Sequence, residues 1–249
     1  MPNLATHIKF ANDLNKSGNL ISNNDKGIYL LGSTTPDIRM LTKESREKYH
    51  FVSLNFDNIG DGINNMMQQY PLLQDVPQTN QLKPFLAGYF THLILDETWI
   101  TKIFRPLFGR ESNFKNNIYG RIFDRAIQLK LEDEARFLFP PLLELIRNSN
   151  IITNIPFIDS IILKQWQSWV VNFLDRPFTW DRLNFMAKRV ASNQEINESL
   201  SISKKILDNM PNSIKELELI VSPKKILEFK KDSLKIGTSL IKEFLKCKS

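Results

Sequence analysis

Residues 85–99, FLAGYFTHLILDETW, set His92 and Asp96 four positions apart in a stretch that is otherwise almost entirely apolar. A buried carboxylate or imidazole without a partner costs several kcal/mol, a large part of the net stability of about 5–15 kcal/mol that a folded domain retains. The fold must therefore let the two groups satisfy each other or bring both to a third partner. At i, i+4 on a helix they share one face, so a single ion can reach both.

Little in the chain interrupts helices. Nine Gly stand against seventeen Phe in 249 residues, and no Gly/Ser-rich or Pro-rich linker divides them. That length buries a substantial core as one domain, and breaker-free stretches favour helices. Asn3 is placed to cap a first helix whose inward side holds Leu4, His7, Phe10, Ala11 and Leu14. A second helix runs from Asp25 to Leu31 and stops at Gly32, after which the chain turns sharply before Asp37. Residues 57–70 are Asn-rich with weak helical signal, and 70–83 form a loop. Pro84 then opens a helix that continues towards Phe104, in which Gly88 lets another helix approach closely. Residues 114–147, 155–175, 179–191 and 195–209 read as further amphipathic helices, separated by Pro140-Pro141, Pro156, Pro177 and Pro211. No strand alternation or internal repeat appears. The expected fold is all-α, with a helical domain over 1–222 and a basic amphipathic helix over 223–249.

The single Cys247 rules out an intramolecular disulfide and a Cys-rich metal site, which fits a reducing compartment. The N-terminal stretch has no basic region followed by an apolar run and a cleavage site, so no secretory signal is expected and the mature chain is expected to start at Met1 or Pro2. The most apolar later segment is interrupted by Asp159, Lys164, Gln165 and Gln167, too polar for a membrane span. A cytoplasmic protein is the working expectation.

All three histidines, His7, His50 and His92, fall in the first hundred residues, each in or beside an apolar context. Any one alone reads as a hydrogen-bonded core residue. Together with Asp37 and Asp96 they make a ligand set of three imidazoles and two carboxylates, suited to zinc, manganese or iron.

The segments THIKFAND, YLLGSTTPDIR, YHF and FLAGYFTHLILDETW, in that order, resemble the zinc-dependent phospholipase C family, which is similar in fold to the S1/P1-type nucleases. The resemblance covers about residues 1–125. It implies a helical fold in which Asp37, His50, His92 and Asp96 hold one zinc, while Asp96 bridges to a second ion also touched by His7. It further implies that Asp37 takes the proton of the attacking water. Secreted members of the family use a freed N-terminal amine as a ligand, which is not carried over here. The family's further ion needs later His and Glu residues. No histidine follows His92, and Asn117 and Arg121 stand in that neighbourhood, with Asp124 nearby.

Metal chemistry on phosphoesters needs an open coordination position, so catalysis here requires a second ion or Asp37 acting as base rather than ligand. Arg39 and Arg121 are candidates to bind a substrate phosphate, Arg39 reading more readily as a solvated or ion-paired residue. No P-loop, His-Glu-x-x-His or Gly-x-Ser-x-Gly motif occurs. The expected function is a phosphoesterase using one or two ions on a phosphoester small molecule or a phospholipid head group. The alternative is a catalytically silent descendant in which an ion or a hydrogen-bond network holds the helices together.

The formal charge is +6, and residues 201–249 hold eleven Lys against six acids. Leu227, Leu234 and Ile241 repeat every seven residues beside Phe229, Leu240 and Phe244, which describes one amphipathic helix or two joined near Gly237. Packing on the domain is favoured over peripheral binding to an anionic membrane surface. Nucleic acid is disfavoured, because Trp99, Trp166, Trp169 and Trp180 lie in helical contexts and read as core.

Overall fold

The computed structural model describes residues 1–77, 80–151 and 155–246, so Cys247 lies outside the described residues. It is all-α: the described residues contain no strand, only an isolated bridge between Ile155 and Ile158. Helix α1 (Leu4–Gly18) starts where the Asn3 side chain accepts the Thr6 amide, and its apolar side, with His7, is buried as the periodicity requires. There follow α2 (Lys26–Gly32), a 3-10 turn (Thr35–Ile38), α3 (Arg39–Thr42), α4 (Arg46–His50) and α5 (Asp61–Gln69).

The organising element is α6 (Leu82–Trp99), in which every residue is buried. A helix apolar all round must be enclosed on all sides, and α1, α2 and α14 (Pro223–Lys246) pack against it. It continues through a π-helical turn (Ile100–Phe104) into α7 (Arg105–Phe108). Helix α8 (Ile118–Ala135) packs on α1, and α9 (Phe139–Arg147) and α10 (Ser160–Leu174) lie against each other. Helices α11 (Arg182–Val190) and α12 (Ile196–Asp208) form a pair over α8, followed by α13 (Asn212–Ile220).

Helices α2 and α6 cross in backbone contact. A β-carbon at Gly88 would lie 1.9 Å from the Tyr29 carbonyl oxygen, and one at Gly32 would lie 2.1 Å from that of Phe85. Gly88 thus has the role its position suggests. Gly32 ends α2 differently from expectation: the residue after it, Ser33, keeps right-handed helical angles, so this glycine serves close packing and not a left-handed cap.

Several boundaries differ from the pattern in the sequence. Residues 61–69 form a full helix, because the Asp61 carboxylate accepts the Asp57 and Asn58 amides and Met66 reaches the core. Pro140 and Pro141 sit in the first turn of α9, where a missing amide costs nothing, so they begin a helix and do not divide one. Pro211 is followed by α13, a helix that the mixed polarity of 212–220 conceals. Helix α14 passes straight through Gly237, whose missing side chain admits Leu14: a β-carbon there would lie 2.5 Å from Leu14 Cδ1. It buries Phe229, Ile241 and Phe244, with Phe90 and Phe244 edge to face at 4.7 Å. Trp99 and Trp166 are fully buried, and Trp169 and Trp180 pack partly buried against the same core.

Candidate metal centre

Four elements deliver polar side chains to one buried place. Helix α6 carries His92 and Asp96 on one face, α1 brings His7, and α4 ends on His50. The 3-10 turn after the α2–α6 crossing brings Asp37. His7, His50, His92 and Asp96 are each 0–1% exposed, whereas Asp37 is half-buried. Among the described residues, two groups of three could hold a metal: His7, His92 and Asp96, and Asp37, His50 and His92. Within each group the donor atoms lie within 4.8 Å of one another.

The tightest donor set is a triangle. His50 Nε2 lies 3.3 Å from His92 Nε2 and 3.2 Å from Asp96 Oδ2, and His92 Nε2 lies 3.7 Å from that oxygen. A point equidistant from three atoms so spaced is about 2 Å from each, the length of a bond from zinc to nitrogen or oxygen.

The protonation of His92 is set by its surroundings. Its Nδ1 lies 2.9 Å from the Ser33 carbonyl oxygen, which can only accept, so Nδ1 carries the proton and donates. Nε2 then presents a lone pair towards His50 and Asp96. This pattern, an imidazole held by a backbone carbonyl with its other nitrogen free, is how metal-binding histidines are oriented. The Gly32–Gly88 crossing makes it possible: it brings Ser33 against α6 one turn before His92. In the same way the Tyr89 hydroxyl donates to the Tyr49 carbonyl and holds α4 beside His50.

Burial pushes the His92 imidazole well below its ordinary pKa, helped by the neighbouring His7 ring, which stacks on it at 3.6 Å. Burial and the Arg46 charge lower His50 as well. Both are therefore neutral, the form that binds metals. For Asp96, burial works upward, but the His50 and His7 nitrogens against it prevail and hold the carboxyl well below the usual range. His7 Nε2 faces Asp96 Oδ1 at 3.3 Å, yet neither atom finds a hydrogen-bond partner among the described residues; nor does His50 Nδ1. His7 Nε2 and Asp96 Oδ1 can both present lone pairs, and two such atoms converging with no hydrogen bond between them fit an electrophile.

The pattern in the sequence misses Arg46. Its Nη2 donates to Asp96 Oδ2 at 3.0 Å, Nη1 donates to the Val52 carbonyl at 3.0 Å, and Nε lies 3.3 Å from the Met1 sulfur. One signal was present: Arg46 precedes His50 by four residues, which puts both on one face of α4. Glu97 is also buried beside the site, pushed up to about 7 by burial while it accepts the Gly60 and Gly62 amides. It anchors the start of α5.

The three residues from the neighbourhood of the further ion make contacts of their own, and Asp124 Oδ2 lies 3.7 Å from the Met1 amine. Arg121 is paired with Glu195 at 2.6 Å, a contact between α8 and the start of α12. Asp124 accepts from the Trp99 indole at 2.9 Å and from Gln128 at 2.7 Å. Asn117 caps α8 by accepting the Gly120 amide at 2.9 Å. Asn117→Ala is therefore expected to cost about 1 kcal/mol in urea unfolding, as a lost cap does, and to leave metal content unchanged. Arg39 and Arg121 are both partly exposed with a buried, unpartnered Nε; Arg39 differs in making no ion pair among the described residues.

Comparisons with protein-family models, with curated proteins and with solved structures find no match to this chain.

Proposed function

We propose that the protein is a metal-dependent phosphoesterase of the kind suggested by its resemblance to zinc-dependent phospholipase C. The observation that carries this reading is the triangle of His50, His92 and Asp96 donors, sized for zinc and held by the Ser33 carbonyl. A divalent ion there supplies a bound water acidified towards neutrality and polarises a phosphoryl oxygen. The chain's own residues do the rest. Asp37, the half-buried member, would take the proton of an attacking water. Arg39, two residues on and partly exposed, would bind the phosphate oxygens through its guanidinium. Helix α4 holds His50 inward, while its Glu47 and Lys48 line an open groove that none of the proposed ligands borders.

Metal content by elemental analysis, measured beside turnover of a nitrophenyl phosphodiester, tests the reading. Arg39→Ala is expected to lower kcat/KM by about 10–100-fold, the worth of a charged hydrogen bond, with metal content unchanged. Unchanged kcat/KM would remove Arg39 from the substrate site. One observation favours a second reading: the four innermost groups are almost wholly shielded from water. Bound metal with no turnover on any phosphoester would select that reading, a structural ion that ties α1, α4 and α6 together.

A further inference from the structure

We infer that the outer face of α14 is a docking surface for an anionic membrane, presented as a row of lysines because the other side of the helix is packed. The inference stands apart from the metal reading. Helix α14 buries Phe229, Ser233, Gly237, Ile241 and Phe244, and it packs on α1 and α6. Its apolar side is therefore spent inside the protein, and what faces solvent is basic. The helix holds seven Lys and three acids. Lys224, Lys231, Lys235, Lys242 and Lys246 are exposed. Helical spacing places these five within about a sixth of the circumference, along a line of about 33 Å. None of them forms an ion pair among the described residues, whereas Lys230 meets Glu134 and Asp232 is held by Lys102. Of the other two acids, Glu228 borders the row and Glu243 falls to its side.

This arrangement departs from the rest of the surface. Elsewhere lysines are matched by acids one turn away: Lys9 by Asp13, Lys48 by Glu44 and Lys130 by Glu134. Along the row the neighbours one turn apart are Lys231 with Lys235 and Lys242 with Lys246, like charges that weaken a helix. An anionic surface relieves that repulsion. A membrane fits better than a nucleic acid. The row is straight and suits a plane, and Leu227, 51% exposed, stands one turn before Lys231 on the same face, placed to enter the boundary between head groups and acyl chains. Nucleic acids are gripped by arginine forks and stacking aromatic rings, and the row contains neither. Each lysine near an anionic leaflet strengthens binding by about fivefold. No helix among the described residues is long and apolar enough to cross a membrane, so the contact proposed is with the surface.

The experiment is co-sedimentation of the full chain with vesicles of phosphatidylcholine alone or mixed with phosphatidylserine, at low and high salt. It compares the wild type with Lys231→Gln/Lys235→Gln/Lys242→Gln and with a control, Lys188→Gln/Lys204→Gln/Lys215→Gln. The control removes the same charge from exposed positions on α11, α12 and α13. All six side chains are exposed, so both variants should fold, which circular dichroism checks. The wild type is expected to bind only the vesicles with phosphatidylserine and to be released by salt. The row variant should bind about 100-fold more weakly, the product of three lysines, and the control within a few-fold of the wild type. No binding of the wild type to anionic vesicles, or equal binding to neutral ones, overturns the inference. An equal fall in the two variants also overturns it, because net charge alone would then account for the binding. Binding of duplex DNA that the row variant abolishes, in a chain that ignores vesicles, would overturn it in favour of nucleic acid.

Discussion

His92→Ala is expected to abolish metal binding and to lower the melting temperature of the zinc-loaded protein by roughly 8–16 °C. The size follows from linkage. An ion present at about 1,000 times its dissociation constant contributes about 4 kcal/mol, and each kcal/mol moves the midpoint of a chain this long by about 2–4 °C. Chelation of the wild type should cause a fall of similar size, and chelation of the variant almost none. That difference separates metal loss from the packing defect left by the missing ring, which stacks on His7 at 3.6 Å. The measurements are elemental analysis and thermal unfolding with and without a chelator. Equal metal content in the two proteins would remove His92 as a ligand.

Gly88→Ala is expected to destabilise the fold by about 3 kcal/mol or more, the upper range for overpacking, although it adds a single methyl group. The added carbon would meet the Tyr29 carbonyl oxygen at 1.9 Å and the Ser33 nitrogen at 3.0 Å, and backbone cannot swing aside as a side chain can. Helices α2 and α6 must then separate. Because the same crossing presses the Ser33 carbonyl onto His92 Nδ1, any folded fraction should also bind metal more weakly, by about 10–100-fold, the usual cost of losing an outer-shell partner. Urea unfolding and zinc titration check both effects. A change under about 1 kcal/mol would show that the crossing yields easily. As a control, Gly60→Ala meets no tight contact, its nearest neighbour being Leu240 at 3.9 Å, but it imposes strain at φ 107.

The candidate site was legible because few side chains can be buried as they are here. His92 and Asp96 within an apolar run, His7 on an apolar helix face, and Asp37 after a turn each imply a partner not present in their own segment, and the partners prove to be one another. Arg46 escaped notice because a basic residue on a short helix usually points to water; only the arrival of Asp96, fifty positions away, makes its burial favourable. Arg121 shows the converse. Its neighbourhood in sequence suggested the site, but α8 turns it towards Glu195.

The sequence by itself determined the all-α class, the glycine approach at Gly88 and the identity of the polar residues that must meet. Those are consequences of periodicity, of steric freedom at one atom and of the cost of burying charge, all local to a few residues. The tertiary structure decided the rest. It set the extent of α5 and α13, whose helical form rests on contacts with distant elements, and the orientation of His92, which depends on a carbonyl 59 residues away. It also decided that α14 is one helix through Gly237, because Leu14 of α1 occupies the space a side chain would have filled. Packing between helices distant in sequence chooses among local patterns that a short segment leaves equal, since the free energy that distinguishes them lies in the contacts and not in the segment.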